Sequence, residues 1–449
     1  MVEDDDVAYA AVTEIANAPD GAHELETAFR KNVWRLLPLL LVSLLFVSLD
    51  RINVAYAKLQ MDQELGFGEA VYGLGAGIFF ISYSLLDVPS NLILARIGAR
   101  GWLGRILITV GVLSACTAFV SSVGQFYLVR FLLGAAEAGF FPGVLYYLTQ
   151  WFPGRQRARA IAWLYIAFPL SGVVGGFLSG HAIASLHNFL GLSGWRWMFV
   201  AEGLPTAILG AACLFLLPGS DIAGAAWLTL KERTGLAELL AQEQASKPQR
   251  SLLKALGEPA TWLLGLIMFC ISFTTIGLSL FIPTIIRETG LTSSASIGNL
   301  SALPFVCGSL AMILLAQSND RTRRRRLHTA IPALVGGIAL IVVALNPGDL
   351  APTIVALTVA VGGSMGALPM FWTLPPARYG GMASAGSLAL INGLGNLSGF
   401  VGPYATGWIR SVSTQHNIAV YLMAGRRTRI DSYSWSSWSD MTGSDGRSS

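Results

Sequence analysis

The stretch RLLPLLLVSLLFVSLDRINVAYA, Arg35 to Ala57, decides how the rest of the chain is read. It holds no charge between Arg35 and Asp50, then sets Asp50 and Arg51 side by side before the apolar pattern resumes. At 1.5 Å per residue, about 20 apolar residues cross the roughly 30 Å hydrocarbon layer of a bilayer. A charged side chain near the bilayer centre costs roughly 2.5–3.5 kcal/mol on insertion scales. A segment oily enough to span, yet keeping both signs of charge, reads as a membrane helix with a polar task.

The pattern recurs along the chain. Of 449 residues, 53% are hydrophobic and 12% charged. Soluble domains carry about 25% charge, so the polar coat of a soluble body is missing. Apolar runs fall at roughly 34–57, 69–94, 102–122, 125–151, 158–184 and 197–217, then at roughly 258–284, 296–317, 328–346, 351–374 and 380–410. The layout predicts a disordered cytoplasmic N-terminal tail (1–30), a first helical half (31–217), a cytoplasmic central loop (218–256), a second helical half (257–425) and a polar tail (426–449). Basic clusters at Arg96, Arg100 and Arg105, at Arg155, Arg157 and Arg159, and at Arg321 to Arg326 occupy even-numbered loops. The odd-numbered loops, such as KLQMDQELGFGE and RETG, are short and balanced. Positive residues accumulate on the cytoplasmic side, so the even loops and the N-terminus are expected there, in the inner or plasma membrane.

The twelfth span breaks the pattern. QHNIAVYLMAG begins like a helix, but RRTRIDSYSWSSWSDMTGSDGRSS follows. About ten apolar residues cannot cross the bilayer, so a truncated twelfth helix is expected, from a shortened or frame-shifted end.

Several classes are excluded on the same residues. The net charge of +4 is spread over short loops, which is no nucleic-acid signal. Cys116, Cys213, Cys270 and Cys307 each stand alone in an apolar run, without the spacing of a zinc site or a disulfide framework. The acidic N-terminus is no signal peptide. Gly393, Gly395 and Gly399 follow no strand, so they form no dinucleotide loop. No nucleophile–base pair, metal cluster or phosphate loop stands out. The expectation is no enzyme, no cofactor and no metal.

Four charged candidates for a midplane site stand in the first half: Asp50, Arg51, Arg130 and Glu137. In FYLVRFLLGAAEAGFFPGVLYYLTQWF, Arg130 and Glu137 lie seven residues apart, about two turns, and share one helix face with Gly134, Ala138 and Gly139. Asp50 and Arg51 diverge by about 100° on a helix, so only one of them need face a cavity. One reading makes these charges internal salt bridges that fix helix packing. The other makes them a midplane site, where arginine holds an anion by forked hydrogen bonds and a buried carboxylate carries a proton. In the second half, Asn392 and Asn396 share a face, four residues apart. They serve either as ligand groups or as interhelical hydrogen bonds. Trp372 is read as a stacking or interface residue, and Tyr83 as a cavity hydroxyl in need of a partner.

Several stretches carry a family likeness: LDRINVAYA, SLLDVPSNLILARIGARGWLGRI, VRFLLGAAEAGFFPGVLYYLTQWFPGRQRARA, SGWRWMFVAEGLP and ALINGLGNLSGFVGPYATGW. On these the chain resembles the major facilitator superfamily, specifically its anion:cation symporter family, over roughly residues 30 to 420. That family includes transporters for galactonate, glucarate, hexuronate, tartrate and phthalate. The resemblance implies an all-α fold of two six-helix bundles around a central cavity. It implies proton coupling at Asp50 and Glu137, anion and coupling roles for Arg51 and Arg130, and cavity positions for Tyr83 and Asn392. AQSNDRTRRRRLH resembles the superfamily's gating motif, with Asp320 and Arg321 in register and Ala316 at the usual glycine. Asp87 and Arg96 occupy the matching first-half stretch, Asp87 standing where the family usually shows glutamate. The seventh span ends SLFIPTIIRETG, with Phe281 and Ile282 where the family often has a tryptophan before the proline.

The expectation is a monomeric, proton-coupled symporter that moves a small organic anion into the cell by alternating access. Its site would comprise Arg51, Arg130, Tyr83, Asn392, Asn396 and Trp372, with lipid as surroundings and no nucleic-acid partner. An uncoupled uniporter or exchanger of the same fold is the alternative.

Overall fold

The computed structural model describes residues 19–219, 222–245, 257–322, 324–346, 348–372, 374 and 381–412. In lipid every backbone N–H and C=O needs an internal partner, and an α-helix supplies them within one segment. Among the described residues the regular structure is helical throughout. α1 (Pro19–Ile52) and α2 (Val54–Leu65) form the first span, α3 (Glu69–Ile97) the second and α4 (Ala99–Cys116) the third. α5 (Val123–Glu137) and α6 (Phe140–Trp151) form the fourth, α7 (Gly154–Tyr165) and α8 (Ala167–Ser185) the fifth, and α9 (Gly194–Leu216) the sixth. After the central helix α10 (Leu230–Ala245) come α11 (Pro259–Arg287), α12 (Ser294–Thr322), α13 (Arg325–Leu345), α14 (Leu350–Phe371) and α15 (Gly381–Val412), the seventh to eleventh spans. The expected tails lie largely outside the described residues, and the truncated twelfth helix does so entirely.

Among the described residues, ten spans are long and apolar enough to cross a membrane. Their outer faces leave large apolar side chains uncovered, including Leu204, Ile208, Phe215, Leu266, Leu334 and Val355. Soluble proteins do not tolerate apolar exposure on this scale; hydrocarbon does.

The chain folds as the expected two helical bundles around a central cavity. They meet along two seams. In the first seam the fifth span packs on the eighth, where a Cβ on Gly298 would lie 2.2 Å from the Gly176 carbonyl oxygen. In the second, the second span packs on the eleventh, where a Cβ on Gly73 would lie 2.5 Å from the Pro403 carbonyl oxygen. Glycine lets the backbones touch at these points, as in other small-residue membrane interfaces. Both contacts lie in the half of the molecule nearer the odd-numbered loops. The bundles are therefore sealed there, and the cavity lies on the even-loop side of the seams.

The central helix docks on the first bundle. Thr229 and Glu232 form a capping box: the Glu232 backbone N–H donates to Thr229 Oγ1 at 3.3 Å, and the Thr229 N–H donates to Glu232 Oε2 at 2.8 Å. Lys31 Nζ reaches both Glu232 oxygens at 2.8 Å. Burial opposes ionisation of Glu232, but these hydrogen bonds outweigh it and hold the carboxyl below its usual range. Farther along, Glu243 accepts from Arg157 at 2.6 Å and from the Gly154 N–H at 3.1 Å.

Candidate functional site

The cavity encloses about 1340 Å³ of empty space, its open mouth included. Its first-bundle wall carries Arg51, Tyr83 and Glu137; its second-bundle wall carries Ser272, Thr275, Ser279, Trp372, Asn392 and Asn396. Aromatic and thioether groups, among them Phe80, Phe141, Phe305 and Met312, line the remainder.

A break in the fourth span positions Glu137. α5 ends at Glu137, Ala138 leaves the helical region, and Gly139 takes a left-handed φ of +83° before α6 begins. Only glycine adopts that conformation without strain, and a Cβ there would also meet Ser90 Oγ at 2.4 Å. The second span satisfies the freed backbone groups. Ser90 Oγ donates to the Ala138 carbonyl at 2.6 Å, and the Gly139 N–H donates to Asp87 Oδ1 at 3.0 Å. Asp87 thus holds the second span against the break that presents Glu137.

Glu137 is fully buried, and its Oε1 accepts from Arg51 Nε at 3.1 Å and from Arg51 Nη2. Glu137 Oε2 has no hydrogen-bond partner. The Arg51 guanidinium lies 5.5, 5.9 and 5.1 Å from the ring centres of Phe79, Phe80 and Tyr83, within cation–π range. With its side chain 24% exposed, Arg51 offers a face to the cavity while pairing with Glu137 on the other.

Asp50 and Arg130 do not line the cavity. Arg130 is 2% exposed, donates to the Gly75 carbonyl at 3.3 Å, and sits 4.9 Å from the Phe79 ring centre, with Nη2 unpartnered. Asp50 is 1% exposed and turns into the first bundle, where Ser114 and Thr206 each donate to it at 2.6 Å. Arg96 and Arg321 are exposed at the even-loop ends of their helices. The Asp320 side chain lies outside the described residues.

One cluster escaped the sequence reading. At the odd-loop face, Glu69 accepts from Lys58 at 2.6 Å and from Arg410 at 3.1 Å, and Arg410 also pairs with Glu288. Arg287 donates to the Leu59 carbonyl at 2.9 Å and Tyr72 to the Leu280 carbonyl at 2.7 Å. These bonds tie spans one and two to spans seven and eleven. The only sequence signal was lone charges at span ends, and such charges ordinarily snorkel to water.

A profile for the Major Facilitator Superfamily matches residues 40–403. The chain belongs to the major facilitator superfamily. The transporter is 40% identical over 417 residues to a Pseudomonas putida protein named for metabolite transport, NicT, covering 92% of this chain and 95% of that one. It is 40% identical over 405 residues to an Agrobacterium vitis protein named for tartrate transport, covering 90% and 93%. Among solved structures, a bacterial homologue of the human lysosomal transporter Spinster, inward-facing and unoccupied, superposes with a TM-score of 0.69 at 19% identity, covering 85% of this chain and 83% of that one. The likeness extends to the fold. Family and fold make the chain a multi-pass membrane transporter and not an enzyme.

Proposed function

We propose that the transporter is a proton-coupled symporter of a small organic anion, importing it by alternating access. The observation that carries this reading is the Arg51–Glu137 pair on the cavity wall. While Glu137 is ionised, its charge satisfies Arg51 and the wall is neutral overall. A proton on Glu137 removes that partner and leaves a guanidinium fork for a carboxylate. Proton and anion then favour each other's binding, and the loaded site is again neutral, which lowers the cost of closing the cavity around it. Asn392, Asn396, Tyr83 and Trp372 complete the substrate site; Arg130, behind Phe79, strengthens the positive potential. Asp50 and Glu137 serve as the proton-coupling acids, and Asp87, Arg96, Asp320 and Arg321 serve in gating.

The relative named for tartrate transport supports a hydroxy- or dicarboxylate substrate. The basic even-numbered loops support an inner-membrane orientation with the N-terminus cytoplasmic. The cavity then faces the cytoplasm and the Glu69–Arg410 cluster closes the outside. One chain encloses the cavity, so a monomer is the transport unit.

The test is uptake of labelled carboxylates into proteoliposomes, with and without an inward proton gradient. Glu137→Gln mimics the protonated acid. It is expected to lose gradient-driven accumulation while anion exchange remains measurable. Intact gradient-driven accumulation in this variant would remove Glu137 from coupling, and wild-type uptake indifferent to the gradient would favour an exchanger.

A further inference from the structure

Behind the cavity wall, the first bundle buries a second carboxyl that the proposed cycle does not use. Glu202 on the sixth span is 2% exposed, and Asn53 on the first span is fully buried. Ser179 of the fifth span donates to Glu202 Oε1 at 2.7 Å. Asn53 lies where the first span is interrupted between α1 and α2. Its carboxamide donates from Nδ2 to Asp50 Oδ1 at 3.4 Å, and Glu202 is its second acidic neighbour. Asp50 and Tyr56 are the titratable groups facing Glu202; the third and fifth spans contribute the Ser114 and Ser179 hydroxyls. No cation pairs with Asp50 or Glu202 among the described residues.

Two orphaned atoms mark what is missing. Asn53 Oδ1 and Glu202 Oε2 are both buried acceptors without a donor. A carboxamide has one donor end and one acceptor end. Set between two carboxyls, it satisfies one ionised acid at its NH₂ end, while its oxygen requires the other acid to donate. Turning the amide over exchanges the two roles without removing the need. Asp50 already accepts from three side chains, whereas Glu202 accepts from one. A buried carboxylate with no cation and a single hydroxyl donor is costly to keep ionised.

We infer that Asp50, Asn53 and Glu202 form a proton-holding relay inside the first bundle, with Glu202 as a further proton site of the transport cycle. The relay ends at a moving part. Tyr56, which faces Glu202, approaches Ser301 of the eighth span across the seam where Gly176 meets Gly298. The charge state of Glu202 is therefore felt where the fifth and eighth spans must slide when the bundles rock. This role in transport rests on the proton-coupled reading; the presence of the proton does not.

The experiment uses the full-length transporter in lipid nanodiscs. Infrared difference spectra at neutral pH, wild type minus Glu202→Gln, are expected to show the loss of one protonated-carboxyl C=O band. Ser179→Ala removes the donor to Glu202 Oε1 and is expected to shift the same band without deleting it, which keeps the assignment testable should Glu202→Gln fold poorly. In proteoliposomes, Glu202→Gln is expected to lose the acid stimulation of uptake, and Glu202→Asp to restore it in part. A band unchanged in Glu202→Gln, or unmoved in Ser179→Ala, would overturn the relay. Loss of the band with acid-stimulated uptake unchanged would overturn its role in transport. Wild-type uptake without acid stimulation would instead count against the symport reading, with the band still deciding whether Glu202 holds the proton.

Discussion

The two walls of the cavity are built from different chemistry. The first bundle presents a full ion pair, Arg51 and Glu137, backed by the buried charges Asp50 and Arg130. The described part of the second bundle presents hydroxyls, carboxamides, methionines and an indole, with no charged side chain on its wall. Charge is expensive in the membrane and neutral polarity is cheaper. On the proposed symport reading, concentrating the charges in one bundle lets one wall attract the anion and sense protons, while the other fits the anion's shape.

The largest expected effect falls on the charged wall. Arg51→Ala leaves Glu137 buried without its cation and, on the proposed reading, removes the anion's forked partner. Losing one member of a buried charged pair costs about 2–5 kcal/mol, so transport-coupled affinity should fall by at least roughly 30-fold. Scintillation proximity binding with a labelled dicarboxylate measures it, and a loss under threefold would mean that the anion binds elsewhere.

Next in size is the seal beyond the cavity. Arg410→Ala removes the cation from Glu288 and leaves Glu69 with Lys58 alone, both acids being partly open to solvent. A loss of about 1–3 kcal/mol shifts the balance of sealed and open odd-loop faces by roughly 5- to 150-fold. Pulsed-EPR distances between labels on the second and seventh spans should lengthen. Unchanged distances would show that the glycine seams alone hold the face shut.

The neutral wall should respond more weakly and in a different way. Asn396→Ala removes neutral hydrogen bonds, about 0.5–1.5 kcal/mol, so KM should rise roughly 2- to 12-fold with the pH profile of uptake unmoved. A displaced pH profile would break the division between the walls.

The smallest effect concerns the central helix α10. The Glu232 carboxyl sits below its usual range in the folded protein, so its contribution is present above the unfolded value near 4.3. It is lost as pH falls through the lower folded value. Lys31 is 35% exposed, and an ion pair screened by solvent on one side contributes about 1 kcal/mol or less, so Lys31→Ala should lower the thermal midpoint only slightly at pH 7 and not at all well below pH 4.

Much of this was legible in one dimension. The span limits followed from run lengths, because hydrocarbon thickness demands about 20 apolar residues each time. Of the candidate residues read from the sequence, Arg51, Glu137, Tyr83, Asn392, Asn396 and Trp372 line the cavity, whereas Asp50 and Arg130 do not. The choice between Asp50 and Arg51 was not legible. Adjacent helical residues point apart, and which one meets water depends on how the first span is rotated against its neighbours. The break at Ala138 and Gly139 was also hidden, since this glycine looks like many others until Asp87 and Ser90 arrive from another span. Lys58, Glu69, Glu288 and Arg410 were missed because residues up to 341 positions apart meet only after the bundles close.

The chain's own order of residues determined that it lives in lipid, where it crosses, and which charges it keeps inside, because burial in hydrocarbon is priced residue by residue along each segment. Tertiary structure alone decided which of those charges pair, which face the cavity, and which face of the molecule is closed. Those outcomes depend on helix rotation and on contacts between distant spans, and no local pattern encodes either.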